Sequence, residues 1–157
     1  MIKIIKLILV LTISFLFLSC GFKPLNKKGT TDIDIQNINI IGNQKIAYYL
    51  KNNIRLMSNK TSNNKYDIEI IAKKEKSNKI KDKTGKVKRY NLSISAELKL
   101  SNLDSNNIKE KKFSRNQDYY VAKIHSDTIT NERNATKNIL QQLSNDIVNF
   151  ITIYVRN

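Results

Sequence analysis

The sequence predicts an α+β fold: a two-layer sandwich with two helices packed on one face of a four-stranded, mostly antiparallel sheet, in the order β-α-β-β-β-α. Three observations predict it. Residues 90–100 alternate apolar and polar side chains without a break, as a strand with one covered face does. Residues 44–58 and 128–154 instead repeat their apolar positions every three or four residues, which gathers them into a stripe on a helix. Shorter period-two runs at 32–41 and 66–72 supply further strands.

In chain order, residues 32–41 alternate with a phase slip at Gln36-Asn37, the mark of a β-bulge. Gly42-Asn43 breaks the strand, and Asn43 suits a helix N-cap. Ile46, Tyr49, Leu50, Ile54 and Met57 then form one helical stripe, and residues 59–65 a polar loop. Tyr66, Ile68, Ile70 and Ala72 define the second strand. The stretch from Lys73 to Arg89 holds nine basic residues against Glu75 and Asp82, and the turn signal Asp82-Lys83-Thr84-Gly85 makes it a long hairpin tip. Tyr90, Leu92, Ile94, Ala96, Leu98 and Leu100 form the covered face of the third strand. After a turn at 102–107, residues 108–121 read as a polar fourth strand anchored by Phe113, Tyr119 and Tyr120. The last helix is capped by Ser126 or Thr128, and its stripe runs from Ala135 through Ile139, Leu143 and Ile147 to Tyr154.

The N-terminus has the layout of a secretory signal. Lys3 and Lys6 precede an apolar run from Leu7 to Leu18, and small Ser19 stands before Cys20. The run is shorter than the roughly 20 residues a membrane span needs. Leu16-Phe17-Leu18-Ser19-Cys20 resembles the lipobox of bacterial lipoproteins, in which the Cys thiol receives a diacylglyceryl group and cleavage falls before it. Acylation also accounts for a single Cys in an exported chain, which otherwise has no disulfide partner. The expected organisation is a signal peptide at 1–19, a lipidated Cys and tether at 20–31, and one α+β domain at 32–157. Gly21, in place of an inner-membrane-retaining Asp, favours the outer membrane, with the domain facing the periplasm.

A net charge of +15 ordinarily suggests nucleic acid as partner. Export argues against that and favours anionic glycolipid, phospholipid head groups or an acidic protein surface. Abundant Ile, Lys and Asn together also reflect an AT-rich genome, so charge by itself is weak evidence. No catalytic set emerges. His125 is the one His, the one Cys is expected to be acylated, and no Gly-rich phosphate loop is present. Neither a cofactor nor a metal site is expected. The carboxylate pairs Asp32/Asp34 and Asp67/Glu69 suit solvated strand faces better than acid–base catalysis.

Three binding features remain. Lys79, Lys81, Lys83, Lys86, Lys88 and Arg89 form a cationic group suited to phosphates, Arg89 alone offering a bidentate fork. Tyr119-Tyr120 places one ring in the core and leaves Tyr120 as a candidate partner contact. Ile33, Ile35 and their neighbours form a strand edge open to another chain.

With Cys20-Gly21-Phe22-Lys23-Pro24-Leu25, Arg89-Tyr90 before the third strand, and the closing segment from Tyr120 to Asn157 with Ser126 and Ala135, the chain resembles the LptE family of lipopolysaccharide-assembly lipoproteins in its alphaproteobacterial form. It departs from that form at Asn26, where Tyr is common, and at Thr136 and Ser144, where Ala is frequent. The resemblance implies a non-enzymatic lipoprotein that partners and plugs the LptD-like outer-membrane β-barrel and binds lipopolysaccharide. The other reading is an envelope lipoprotein acting as a structural or inhibitory binding module. A small hydrolase using Asp34 or Glu69 is a third.

Overall fold

The computed structural model describes residues 32–156, so the signal segment, Cys20 and the tether lie outside the described residues. Six elements follow in the expected order: β1 (Asp34–Gly42), α1 (Gln44–Arg55), β2 (Lys65–Lys81), β3 (Val87–Asn102), β4 (Ile108–Tyr120) and α2 (His125–Arg156). The sheet order is β1-β2-β3-β4. β1 runs parallel to β2, because α1 carries the chain back across the sheet between them; the other two pairs are antiparallel.

Period two in the strands decides which side is covered. Ile68, Ile70 and Ala72 of β2 pair with Leu100, Leu98 and Ala96 of β3, and all six are buried. Ile46, Ala47, Leu50 and Ile54 of α1 and Ala135, Ile139, Leu143, Ile147 and Ile151 of α2 close over this face. Burying such a side chain contributes roughly 1.5–3 kcal/mol, so the single apolar layer holds the domain together. The opposite face carries Asp67, Glu69, Ser93, Ser95, Glu97 and Lys99 and is left to solvent.

The joint between β1 and α1 is tight. Gly42 has φ +89°, and the Asn43 amide donates to the Ala72 carbonyl at 2.8 Å. Asn43 Oδ1 then accepts the Ile46 amide at 3.3 Å, the N-cap expected from its position. The phase slip is also real: the β1–β2 register shifts between Ile35 and Asn37.

Three boundaries differ from expectation. α1 ends at Arg55 and not Ser58: the Met57 and Ser58 amides turn back to the Ile54 and Arg55 carbonyls at 3.0 and 3.2 Å, and Ser58 Oγ accepts the Ile35 amide at 2.9 Å. α2 starts at His125, which is exposed, ahead of both proposed caps. Among the described residues Ser126 Oγ approaches only Asp127, and Thr128 Oγ1 accepts the Ala122 amide across the connection at 2.9 Å. Finally, most of the supposed hairpin tip is strand: β2 extends to Lys81 and β3 begins at Val87, leaving only residues 82–86 as the turn.

Candidate functional site

Beyond Ala72 every residue of β2 to Lys81 is exposed, and β3 and β4 run beside it up to the Arg89–Tyr120 pair. The basic stretch is therefore one edge of a ribbon that projects past the core. Its side chains alternate between the helix side and the open side, and each side has its own acidic anchor.

On the helix side, Lys74 and Lys76 converge on Glu132 of α2 at 2.8 and 3.0 Å. Tyr119 donates its hydroxyl to the same carboxylate at 2.8 Å and stacks on Tyr90 with ring centroids 5.5 Å apart. Lys76 lies 4.1 Å from the centre of the Tyr90 ring. The Lys74 ammonium, followed by Lys76 and Tyr119 against the opposing effect of burial, lowers the Glu132 carboxyl from 4.5 to about 2. This cluster ties the ribbon to the first turns of α2.

On the open side the anchor is Asp118. It accepts from Asn91 at 2.8 Å, meets Lys79 at 2.6 Å and lies 3.9 Å from Arg89. The Asn91 amide, with Lys79 next, holds its carboxyl below the ordinary range. Arg89 also donates to the Tyr120 hydroxyl, and its guanidinium carbon lies 4.2 Å from that ring's centroid. Tyr119 is buried and Tyr120 is 62 % exposed, the split expected of neighbours on a strand. Arg89 Nε is buried without a partner among the described residues.

The turn is self-contained. Asp82 Oδ1 accepts the Thr84 hydroxyl at 2.6 Å and the Thr84 and Lys86 amides at 2.9 and 3.0 Å, while Oδ2 meets Lys88 at 3.3 Å. The Thr84 hydroxyl is the chief reason that the Asp82 carboxyl falls from 3.8 to about 2. Gly85, at φ +83° with open space around it, closes the turn.

The six cations singled out in the sequence thus divide. Lys79, Lys88 and Arg89 are held by acids. Lys81, Lys83 and Lys86 are exposed and, among the described residues, have no ion pair. Exposed ammonium groups on a braced turn suit a phosphate-bearing partner. Among the described residues no group of three or more His, Cys, Asp or Glu side chains can hold a metal ion. The carboxylates of Asp67 and Glu69 accept from Asn37 and Asn39 across the sheet at 3.0 and 3.2 Å, so they serve strand pairing.

The Glu132 clamp was missed in the sequence, although a signal existed. Glu132 falls three residues before Ala135, in phase with the apolar stripe of the last helix, and an acid there needs a cation opposite.

The family model for LptE, lipopolysaccharide-assembly, matches residues 31–151. The chain belongs to the LptE family. Its lipopolysaccharide-assembly role follows at that level, and the family is not an enzymatic one. No curated protein matches the sequence. Among solved structures, a candidate lipoprotein from Caulobacter crescentus is similar with a TM-score of 0.56 at 10 % identity, over 80 % of this chain and 92 % of that one. An uncharacterized lipoprotein B from Nitrosomonas europaea is similar with a TM-score of 0.55 at 15 % identity, over 82 % and 90 % of the two chains. At these identities the likeness is one of fold, and it extends across the two-layer family domain.

Proposed function

We propose that this LptE-family protein is an outer-membrane lipoprotein, acylated on Cys20 and facing the periplasm, that seats in an LptD-like β-barrel and meets lipopolysaccharide phosphates with the Lys81, Lys83 and Lys86 tip. One observation carries the lipid part. The ribbon is stiffened by acids on both sides, yet its far end presents three lysines that have no acidic partner among the described residues. A braced cationic tip loses little conformational freedom when an anion binds, so its Coulomb attraction is not offset by ordering. Lysines supply adaptable point charges, suited to phosphates at varied spacing. Tyr120, exposed beside Arg89, offers an amphipathic ring next to the same patch. Family membership supports the barrel as partner, and a domain of this size suits the lumen of a large outer-membrane barrel.

The test is a crosslinked pull-down of the tagged lipoprotein from native membranes. Capture of a large outer-membrane β-barrel, with salt-sensitive binding of purified lipopolysaccharide by the same protein, is expected. If no barrel is captured under conditions that retain the lipoprotein in the membrane, the plug role fails.

A further inference from the structure

We propose that the free edge of β1, together with the groove between it and α1, binds an extended acidic polypeptide segment by strand addition. This surface is separate from the lysine tip and does not rest on the lipid-binding role.

β1 ends the sheet, so alternate residues of it direct their amides and carbonyls away from β2 and toward no strand. The two edges of the sheet are unlike. β4, the other edge, carries Lys109, Lys111, Lys112 and Arg115, the kind of charged row that discourages a second chain from pairing there. From Ile35 to Gly42, β1 has no charged residue and no proline. Its Ile38 and Ile40 pack on the core and hold the strand in place, while Gln36, Asn37 and Asn39 are exposed. Ile33, expected at this edge, is instead fully buried, so the open part begins after the bulge.

Beside the edge lies a groove of about 350 Å³, lined by residues 35–39 and by Lys51 and Arg55 of α1. Among the described residues neither cation has an ion pair. Four residues apart on a helix, they stand about 6 Å apart along its axis. Alternate side chains of an added strand repeat at about 6.6 Å, so acids at every second position would meet both.

Charge also selects among occupants. Residues 20–31 of this chain carry Lys23, Lys27 and Lys28 and no acid, so the protein's own tether is repelled from Lys51 and Arg55. A second copy pairing through β1 about a two-fold axis would set α1 beside α1 and bring the four cations together. An acidic segment of another protein is the occupant that satisfies the edge and the groove at once.

The full lipoprotein in neutral detergent is titrated with fluorescent peptides of about eight residues. One alternates Glu with Val, a second alternates Lys with Val, and a third is the Glu peptide with a central Pro. The Glu peptide is expected to bind, more weakly as salt rises, and to slow amide exchange at residues 37–41 but not along β4. The Lys and Pro peptides are expected to bind at least about tenfold more weakly. Lys51→Glu with Arg55→Glu, at a half-buried and an exposed position of α1, should cost the Glu peptide a similar factor while leaving the thermal midpoint in place; Lys81→Glu should still give the same β1 protection. Equal binding of the Lys peptide, protection on β4, absence of Glu-peptide binding, or dimerisation that the peptide does not displace would each overturn the proposal.

Discussion

A Cβ added to Gly42 would stand 2.3 Å from the carbonyl oxygen of Ala72, the atom that also accepts the Asn43 amide. The residue's φ of +89° is unfavourable for any L side chain. Gly42→Ala therefore has to move β1 away from β2 or break the bond between the Asn43 amide and the Ala72 carbonyl, at a cost of about 2–4 kcal/mol. Urea unfolding should show a lower midpoint with an unchanged slope. Glu132 tests the other joint. Its carboxylate binds two lysines and a tyrosine, but it and Lys74 remain 28 % exposed, so solvent screening limits the loss in Glu132→Gln to about 1 kcal/mol. The pH dependence follows from the depressed pKa. A carboxyl lowered from 4.5 to about 2 stabilises the fold fully above 4.5, and that contribution fades as pH falls toward 2. The stability gap between wild type and Glu132→Gln should therefore be constant at neutral pH and narrow steadily below 4.5; a gap that widened in acid would contradict the clamp.

Legibility in the sequence differed among the elements for physical reasons. β3 was clear because its buried face repeats every second residue with no interruption, as the burial of Leu92, Ile94 and Ala96 shows. The bulge in β1 was clear too, since a slipped register leaves a slipped pattern. The distal half of β2 was not, because period two is visible only where the two faces differ, and beyond Ala72 both are polar. The acids that hold the ribbon lie far along the chain, Glu132 being 58 residues from Lys74, a separation that no local pattern reports. For the same reason the candidate cations were recognised as a group but not divided into bound and free. That division makes a prediction for the ribbon. Changing Lys81, Lys83 and Lys86 together to Glu should weaken lipopolysaccharide binding and flatten its salt dependence, while stability stays within about 0.5 kcal/mol. Asp118→Asn should instead loosen Lys79 and Arg89 and speed amide exchange along the end of β4. Loss of binding accompanied by unfolding in the lysine variant would remove the tip from the lipid-binding account.

At the scale of the whole molecule, two forces compete to explain membrane attachment: the net charge, +15 less Lys3 and Lys6 of the signal segment, and the proposed acyl chains on Cys20. No helix among the described residues is long and apolar enough to cross a membrane. Only one of the two forces is weakened by salt. At about 1 M salt the screening length falls to about 3 Å, and a domain held by lysines alone should wash off anionic membranes. Acyl chains stabilise attachment by about 0.8 kcal/mol per buried CH₂, a term that added salt does not weaken, and several chains act together. The lipoprotein is therefore expected to stay with membranes through a high-salt wash and to incorporate a labelled fatty acid. Cys20→Ser removes the thiol that carries the label and, by the lipobox resemblance, the cleavage that depends on it. The precursor then keeps the apolar run from Leu7 to Leu18, so the variant should remain membrane-associated but shift from the outer to the inner membrane fraction. Unlabelled Cys20→Ser with a larger apparent mass would establish Cys20 as the anchor. Fatty-acid label retained in the variant would place the lipid on another residue, and wild-type protein released by salt would leave the positive charge as the attachment; either takes the anchor away from Cys20.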